Sequence, residues 1–188
     1  TVVMDWKRLP KARWSMPCGE GHSSIITFGK RVITLEQEGN QEVLIARSLD
    51  DGRALWKVAE TTRWQDSMSG IGPRSTPTLH QGKIYTLFSN GRLSCVDAKS
   101  GEVFWNTQIL GQDYNFPEWG LSMSPLVWKD RIILNPGGED SAVQAYAKDS
   151  GDLKWTSRLQ GRGVYMSPEI LSLLREDHLL VALEGKIA

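Results

Sequence analysis

Short runs of alternating apolar and polar residues, punctuated by Gly, Asn and Asp, make up most of the chain. The pattern is clearest between residues 76 and 105. It predicts a strand over 76–80, a turn at Gln81-Gly82 and a second strand over 84–88. Asn90-Gly91 follows, a strong hairpin signal because both residues tolerate the positive φ of a tight turn. The chain returns over 93–96, turns again at Lys99-Ser100-Gly101, and closes with Val103-Phe104-Trp105. Nowhere do apolar residues keep a helical spacing long enough to predict a helix. Segment 169–175 reads as one or two helical turns at most, and Ser167-Pro168 before it stands where the other units begin a strand.

The same unit recurs. Asp50-Asp51-Gly52-Arg53-Ala54-Leu55-Trp56, Lys99-Ser100-Gly101-Glu102-Val103-Phe104-Trp105 and Asp149-Ser150-Gly151-Asp152-Leu153-Lys154-Trp155 are spaced 49 and 50 residues apart. Each is preceded by a second landmark, at Ser24-Ile25, Thr76-Pro77 and Ser124-Pro125, with a fourth at Ser167-Pro168. Between them lies a turn and a β-rich run, at Gly29-Lys30-Arg31-Val32-Ile33, Gly82-Lys83-Ile84-Tyr85 and Lys129-Asp130-Arg131-Ile132-Ile133. Four short antiparallel strands per repeat of about 40–50 residues is the arithmetic of a β-propeller blade. The expected fold is all-β: a connector over 1–20, then repeats at about 21–70, 71–120, 121–162 and 163–188. That makes three full blades and the opening two strands of a fourth.

A four-stranded sheet cannot cover its two apolar faces alone, so blades must stack. Trp56, Trp105 and Trp155 are therefore expected to be buried between neighbouring sheets, each aimed by the positive φ of Gly52, Gly101 or Gly151. Aromatic platforms for a ligand are the alternative reading of the same rings.

Composition narrows the function. Lys and Arg total 22 against 22 Asp and Glu, so the basic surplus of a nucleic-acid binder is missing. No run of 18 apolar residues predicts a membrane-spanning helix, and the opening Thr-Val-Val-Met-Asp-Trp does not read as a signal peptide. Cys18 and Cys95 form no metal-type pair and are expected to be free thiols, with Cys95 on an inner strand.

Ligands of a propeller usually meet the axial face where loops enter each innermost strand. Those loops are long here, 57–74, 106–121 and 156–165. His22, Arg74, Ser122 and Tyr165 stand at equivalent places, three residues before the second position of each landmark. Trp119, Asp66, Asp113 and Glu118 share the loops. Together they could hold a polar ligand, with Arg for an anion, Trp as a stacking floor and His as acid or base. Alternatively they cap sheet ends and bond to neighbouring blades. His80 and His178 fall in or beside strands, away from this face. Asn135-Pro136-Gly137-Gly138-Glu139-Asp140 joins two strands rather than opening a helix, which argues against a phosphate cradle. Glu139 and Asp140 read as a solvated hairpin tip rather than a calcium site, and no metal ligand set is expected.

Cys95-Val96-Asp97-Ala98-Lys99-Ser100-Gly101-Glu102-Val103-Phe104-Trp105 resembles the tryptophan-docking motif of the PQQ-like (quinoprotein alcohol dehydrogenase-like) propeller repeats. The likeness runs from about residue 20 onward. The second repeat fits best; the first has Leu49 and the third Ala147 where the motif prefers Asp. Gly72-Pro73-Arg74-Ser75-Thr76-Pro77 and Glu118-Trp119-Gly120-Leu121-Ser122-Met123-Ser124-Pro125 look like uncharacterised bacterial, BamB-like members. The resemblance implies a ring of about seven or eight blades, so the chain reads as a fragment, or as a unit that self-associates through open blade edges. It implies a periplasmic or envelope location. A non-catalytic scaffold without cofactor, holding a protein or polymer partner on the axial loop face, is the expected function. The alternative is part of a dehydrogenase acting on an alcohol or polyol with PQQ and calcium, although the adjacent Cys pair typical of such enzymes is missing from this sequence.

Overall fold

The computed structural model describes residues 11–111, 113–163 and 165–188. Every regular element is a strand. The first blade comprises Ile26–Phe28, Arg31–Glu38, Gln41–Ser48 and Ala54–Glu60, paired in sequence order and antiparallel throughout. The second comprises Thr78–His80, Lys83–Leu87, Arg92–Asp97 and Val103–Gln108. The third comprises Leu126–Trp128, Arg131–Leu134, Gln144–Ala147 and Leu153–Thr156. The fourth opens with Glu169–Leu173 against Glu176–Leu180, then Ala182–Leu183 turns through Glu184-Gly185 into Lys186–Ile187. The segment that allowed a helical reading, 169–175, is thus strand and turn. Of the expected connector, residues 1–10 lie outside the described residues.

The short first strands of the three full blades lie side by side, which makes them the innermost strands of a stacked, propeller-type array. The landmarks explain their own recurrence. The backbone N–H of Ser24 donates to Thr76 Oγ1 at 2.9 Å, that of Thr76 to Ser124 Oγ at 3.0 Å, and that of Ser124 to Ser167 Oγ at 2.8 Å. One hydroxyl per blade satisfies the entering backbone of the blade before it, where the innermost strands belong to separate sheets and do not pair with each other.

Apolar side chains pack between blades. Ile33, Leu35, Leu44 and Ala46 of the first meet Ile84, Phe88, Val96 and Ala98 of the second. Tyr85, Leu87, Leu93 and Cys95 meet Ile132, Leu134 and Tyr146 of the third. The docking tryptophans sit at the outer rim of these layers. The turn glycines have φ of +75°, +79° and +76°, and each closes its turn by donating its N–H four residues back, to Ser48, Asp97 or Ala147. The turn position that matches Asp97 is therefore Ser48, not Leu49.

A second constraint on these glycines comes from the preceding blade. A Cβ on Gly101 would lie 2.8 Å from the Trp56 ring, and one on Gly151 would lie 2.6 Å from the Trp105 ring. Trp105 Nε1 also donates to Lys148 O at 3.2 Å. Trp56 and Trp105 are therefore each seated on the glycine turn of the next blade. Gly52 carries a ring too: Trp14, within the expected connector, comes within 2.8 Å of a Cβ there and donates Nε1 to Leu49 O at 2.9 Å. Trp155 departs from expectation. It is 40% exposed rather than buried, because the described part of the fourth blade supplies no glycine turn to receive it. Trp56 and Trp105 are half-buried, each with its ring on the turn of the next blade.

Both cysteines are free, Cys18 exposed and Cys95 fully buried. Burial pushes the Cys95 thiol up to about 11, so its nucleophilic thiolate is scarce at neutral pH. Alkylation of the native protein should label Cys18 alone, and denaturation should expose a second thiol. Mass spectrometry counts the adducts.

Candidate functional site

Strand order sorts the connections onto two faces. First-to-second and third-to-fourth turns share one end of each blade. The second-to-third hairpins and the crossings to the next blade share the other, here the loop face. It collects the crossings 61–77, 109–125 and 157–168 with the hairpins at Asn90-Gly91, 135–143 and Glu184-Gly185.

The predicted residues gather there in two separate groups. In the first, Arg74 and Asp66 form a largely dehydrated ion pair at 2.8 Å, their side chains only 7% and 8% exposed. The same Arg74 nitrogen donates to Ser69 Oγ and Gly70 O, both at 2.9 Å, while Nη1 donates to Gly72 O at 2.9 Å. Asp66 also accepts from the Ser69 hydroxyl at 2.7 Å and the Ser69 N–H at 2.6 Å. These bonds knot the small hairpin Gln65–Asp66/Gly70–Ile71. His22 bridges to it through Nε2 and Ser69 O at 2.9 Å, and its N–H donates to Pro73 O. Arg74 thus ties together the loop that carries it, and His22 ties the segment before the first blade to that same loop.

The bonds from Ser69, then that from Arg74, hold Asp66 well below the usual carboxylate range. Its stabilising contribution is therefore present above the unfolded value of about 3.9 and lost as pH falls through the lower folded value. Asp66→Asn is expected to lower the melting midpoint at neutral pH. It should also shrink the further fall seen in strong acid. Thermal melts of both proteins at the two pH values check this.

In the second group, the Trp119 and Tyr165 rings stack with centroids 4.8 Å apart and an interplanar angle of 33°. The Trp119 N–H also points to Tyr165 Oη at 3.4 Å. Both rings are more than one-third exposed, as are Phe116, Met166 and Met68 on the same face. Ser122 is half-buried and belongs to neither group among the described residues.

Three further aromatics were not singled out from sequence. Gly120 packs on Trp64, where a Cβ would lie 2.7 Å from the ring. Trp64 meets Phe116 at 5.5 Å, and Tyr114 meets Phe116 edge-on at 4.9 Å. Tyr114 donates its hydroxyl to Pro136 O at 2.5 Å, and burial pushes its phenol up to about 12. This cluster props up the loop that presents Trp119. A run of aromatics inside long crossings was the signal that could have found it.

Beside the cluster lies a cleft of about 830 Å³ with Asp113, Glu139, Asp140 and Glu184 on its walls, and Arg162 as its cation. The glycine segment 135–140 is more than a hairpin tip. Gly137 and Gly138 pair with Arg162 and Gly161 of the next crossing, and a Cβ on Gly137 would fall 2.0 Å from Gly163 N. Only glycine lets the two backbones meet at the cleft floor. Asp140 accepts from Gln160 Nε2 at 3.2 Å, and Arg162 faces Glu184 at 3.9 Å. Among the described residues no three His, Cys, Asp or Glu side chains converge as a metal site.

The family model described as outer membrane protein assembly factor BamB matches residues 10–121 and again 40–188. The chain is 30% identical over 124 residues to the quinohemoprotein alcohol dehydrogenase ADH IIB of Pseudomonas putida. That alignment covers 60% of this chain and 17% of the relative, so the chain spans about a sixth of that protein's length. Among solved structures, BamB from Moraxella catarrhalis superposes with a TM-score of 0.63 at 14% identity, over 84% of this chain and 46% of the other. The computationally designed Ika4 protein superposes with a TM-score of 0.57 at 12% identity, over 96% of this chain and 97% of the other. At these identities the structural likenesses establish the fold. With the two family matches together reaching from residue 10 to the last residue, the chain belongs to the PQQ-like, BamB-type propeller family.

Proposed function

We propose that the chain is part of a non-catalytic propeller of the bacterial envelope or periplasm that holds a protein partner on its loop face. The carrying observation is the set of rings and thioethers left in water there: Met68, Phe116, Trp119, Tyr165 and Met166. Exposed apolar surface of this kind, beside a polar cleft, is typical of interaction sites. The polar groups that would do chemistry are instead engaged in loop structure, with Arg74 held by Asp66 within its own loop and His22 bonded to Ser69 O of that loop.

The identity to a quinohemoprotein alcohol dehydrogenase favours a second reading, in which the chain contributes blades to a PQQ- and calcium-dependent enzyme acting on an alcohol or polyol. The described residues do not fit those groups. Arg74 Nη1 and Nη2, the ends that could meet a carboxylated quinone, are already committed to the loop, its Nε is buried, and no three candidate metal ligands converge. That reading would need the cofactor site to lie on other blades.

Adding PQQ with calcium to the protein separates the two. The scaffold reading expects an unchanged melting midpoint and no quinone absorption band retained after gel filtration. A saturable rise in the midpoint with a retained band would establish the dehydrogenase reading.

A further inference from the structure

The face that the first blade turns to the second is apolar for most of its length and then changes character. Ile33 and Leu35 continue to Gln37 on the second strand, Ala46 and Leu44 to Glu42 on the third, and Trp56 and Val58 to Glu60 on the fourth. Gln37 pairs with Glu42, and Glu42 with Glu60, so the three form one cross-strand row at the loop-face end. Two carboxylates thus stand directly opposite each other, an arrangement that repels when both are charged.

Their partners differ. Glu60 accepts Asn90 Nδ2 at 2.7 Å and faces Arg92 at 3.8 Å. Glu42 is fully buried; its Oε2 accepts the Ser89 N–H at 2.9 Å, while its Oε1 has no partner. Gln37 is 4% exposed. Its Nε2 donates to Gly39 O and Thr62 O, both at 3.1 Å, which fixes the amide orientation and leaves Oε1 as an acceptor without a donor. Adjacent members of one row therefore present two buried, unpartnered acceptors. Each such group is costly. A single proton removes both deficits by turning one acceptor into a donor.

We propose that the row holds one proton, on Glu42 Oε1 and donated to Gln37 Oε1, and that its release to solvent as pH rises loosens the joint between the first two blades at the loop face. The charged groups around it are few. Glu60 on the neighbouring strand disfavours ionisation, but Arg92 and Asn90 occupy it. Arg74 in the crossing favours ionisation; Asp66 holds its Nη2 at 2.8 Å, while its buried Nε has no partner. Burial, the largest influence, raises the Glu42 carboxyl above its ordinary value and outweighs the Ser89 hydroxyl and N–H, which both favour the ionised form. A raised folded value means that the proton's stabilisation is complete below the unfolded value of about 4.3 and is lost as pH climbs through the folded one. Ser89 and Asn90 belong to the hairpin of the second blade, and Thr62 to the crossing that carries Asp66, so the joint anchors two loop-face segments.

The test is a carbon-13 NMR titration of the side-chain carboxyls, with Glu42 assigned by the signal missing from Glu42→Gln. It is paired with melting midpoints and hydrogen exchange across the same pH range. Glu42 is expected to titrate above the ordinary glutamate value. The wild-type midpoint and the protection of the 89–92 amides should fall over that same interval, after correction for intrinsic exchange. Glu42→Gln, whose amide supplies a permanent donor, should lose that pH dependence. Titration at or below the ordinary value would overturn the proposal, as would parallel loss of stability in both proteins. If Glu42→Gln does not fold, the wild-type titration read against its own midpoint and protection curves decides the matter.

Discussion

Gly151→Ala is expected to destabilise the protein by about 3 kcal/mol, from a positive-φ cost of about 1–2 kcal/mol and an overpacking cost of about 1–3 kcal/mol. The added methyl would sit 2.6 Å from the Trp105 ring, on a backbone with φ of +76°. Trp105→Ala is expected to cost a similar ~3 kcal/mol, the low end for deletion of a large aromatic because the residue is only half-buried. The informative variant is the double one. Removing the ring also removes the obstacle to the methyl, so Trp105→Ala with Gly151→Ala should cost less than the sum by about 1–2 kcal/mol. Denaturant titrations of the four proteins measure this. Strict additivity would mean that the tryptophan of one blade does not rest on the turn of the next.

The second large effect is at the cleft floor. Gly137→Ala places a methyl 2.0 Å from Gly163 N, and the obstacle is backbone that cannot rotate away. The rung between Gly137 and Arg162 must break, at a cost of about 3 kcal/mol with the strain of φ +85° included. Gly185→Ala at the neighbouring hairpin has a similar φ of +76° but open space around it. It should cost only about 1 kcal/mol. Equal losses for the two would show that dihedral strain, not the close approach of two backbones, governs the site.

Blade period was legible because its causes are local. Asn90-Gly91, the glycine turns and the alternating runs each encode a hairpin within a few residues. Contacts between blades were harder to read. Gly101 announces a positive φ, but nothing near it in sequence announces that the Trp56 ring will lie on it. Trp14 was missed for a related reason: it stands 42 residues before Trp56 rather than 49 or 50, with Pro10 where the other repeats have glycine. The hydroxyls at Thr76, Ser124 and Ser167 were visible as a landmark, but their acceptors' role depends on a neighbouring blade's backbone. Arg74 shows the limit for function. Equivalence by position set it beside His22 and Tyr165 as a ligand group, yet eight residues upstream Asp66 claims its guanidinium. Trp119 and Tyr165 do meet, because two successive crossings converge on one face.

On the proposed function the loop face meets a partner, rather than the opposite face formed by the first-to-second and third-to-fourth turns. Photo-crosslinking in the cell with a benzophenone amino acid at position 119 or 165, and at Lys99 or Asp149 on the opposite face, tests it most directly. A discrete protein adduct from 119 and 165 but not from 99 and 149 is the predicted result. Adducts confined to 99 and 149, or none from the loop face while the chain is folded and expressed, would contradict it.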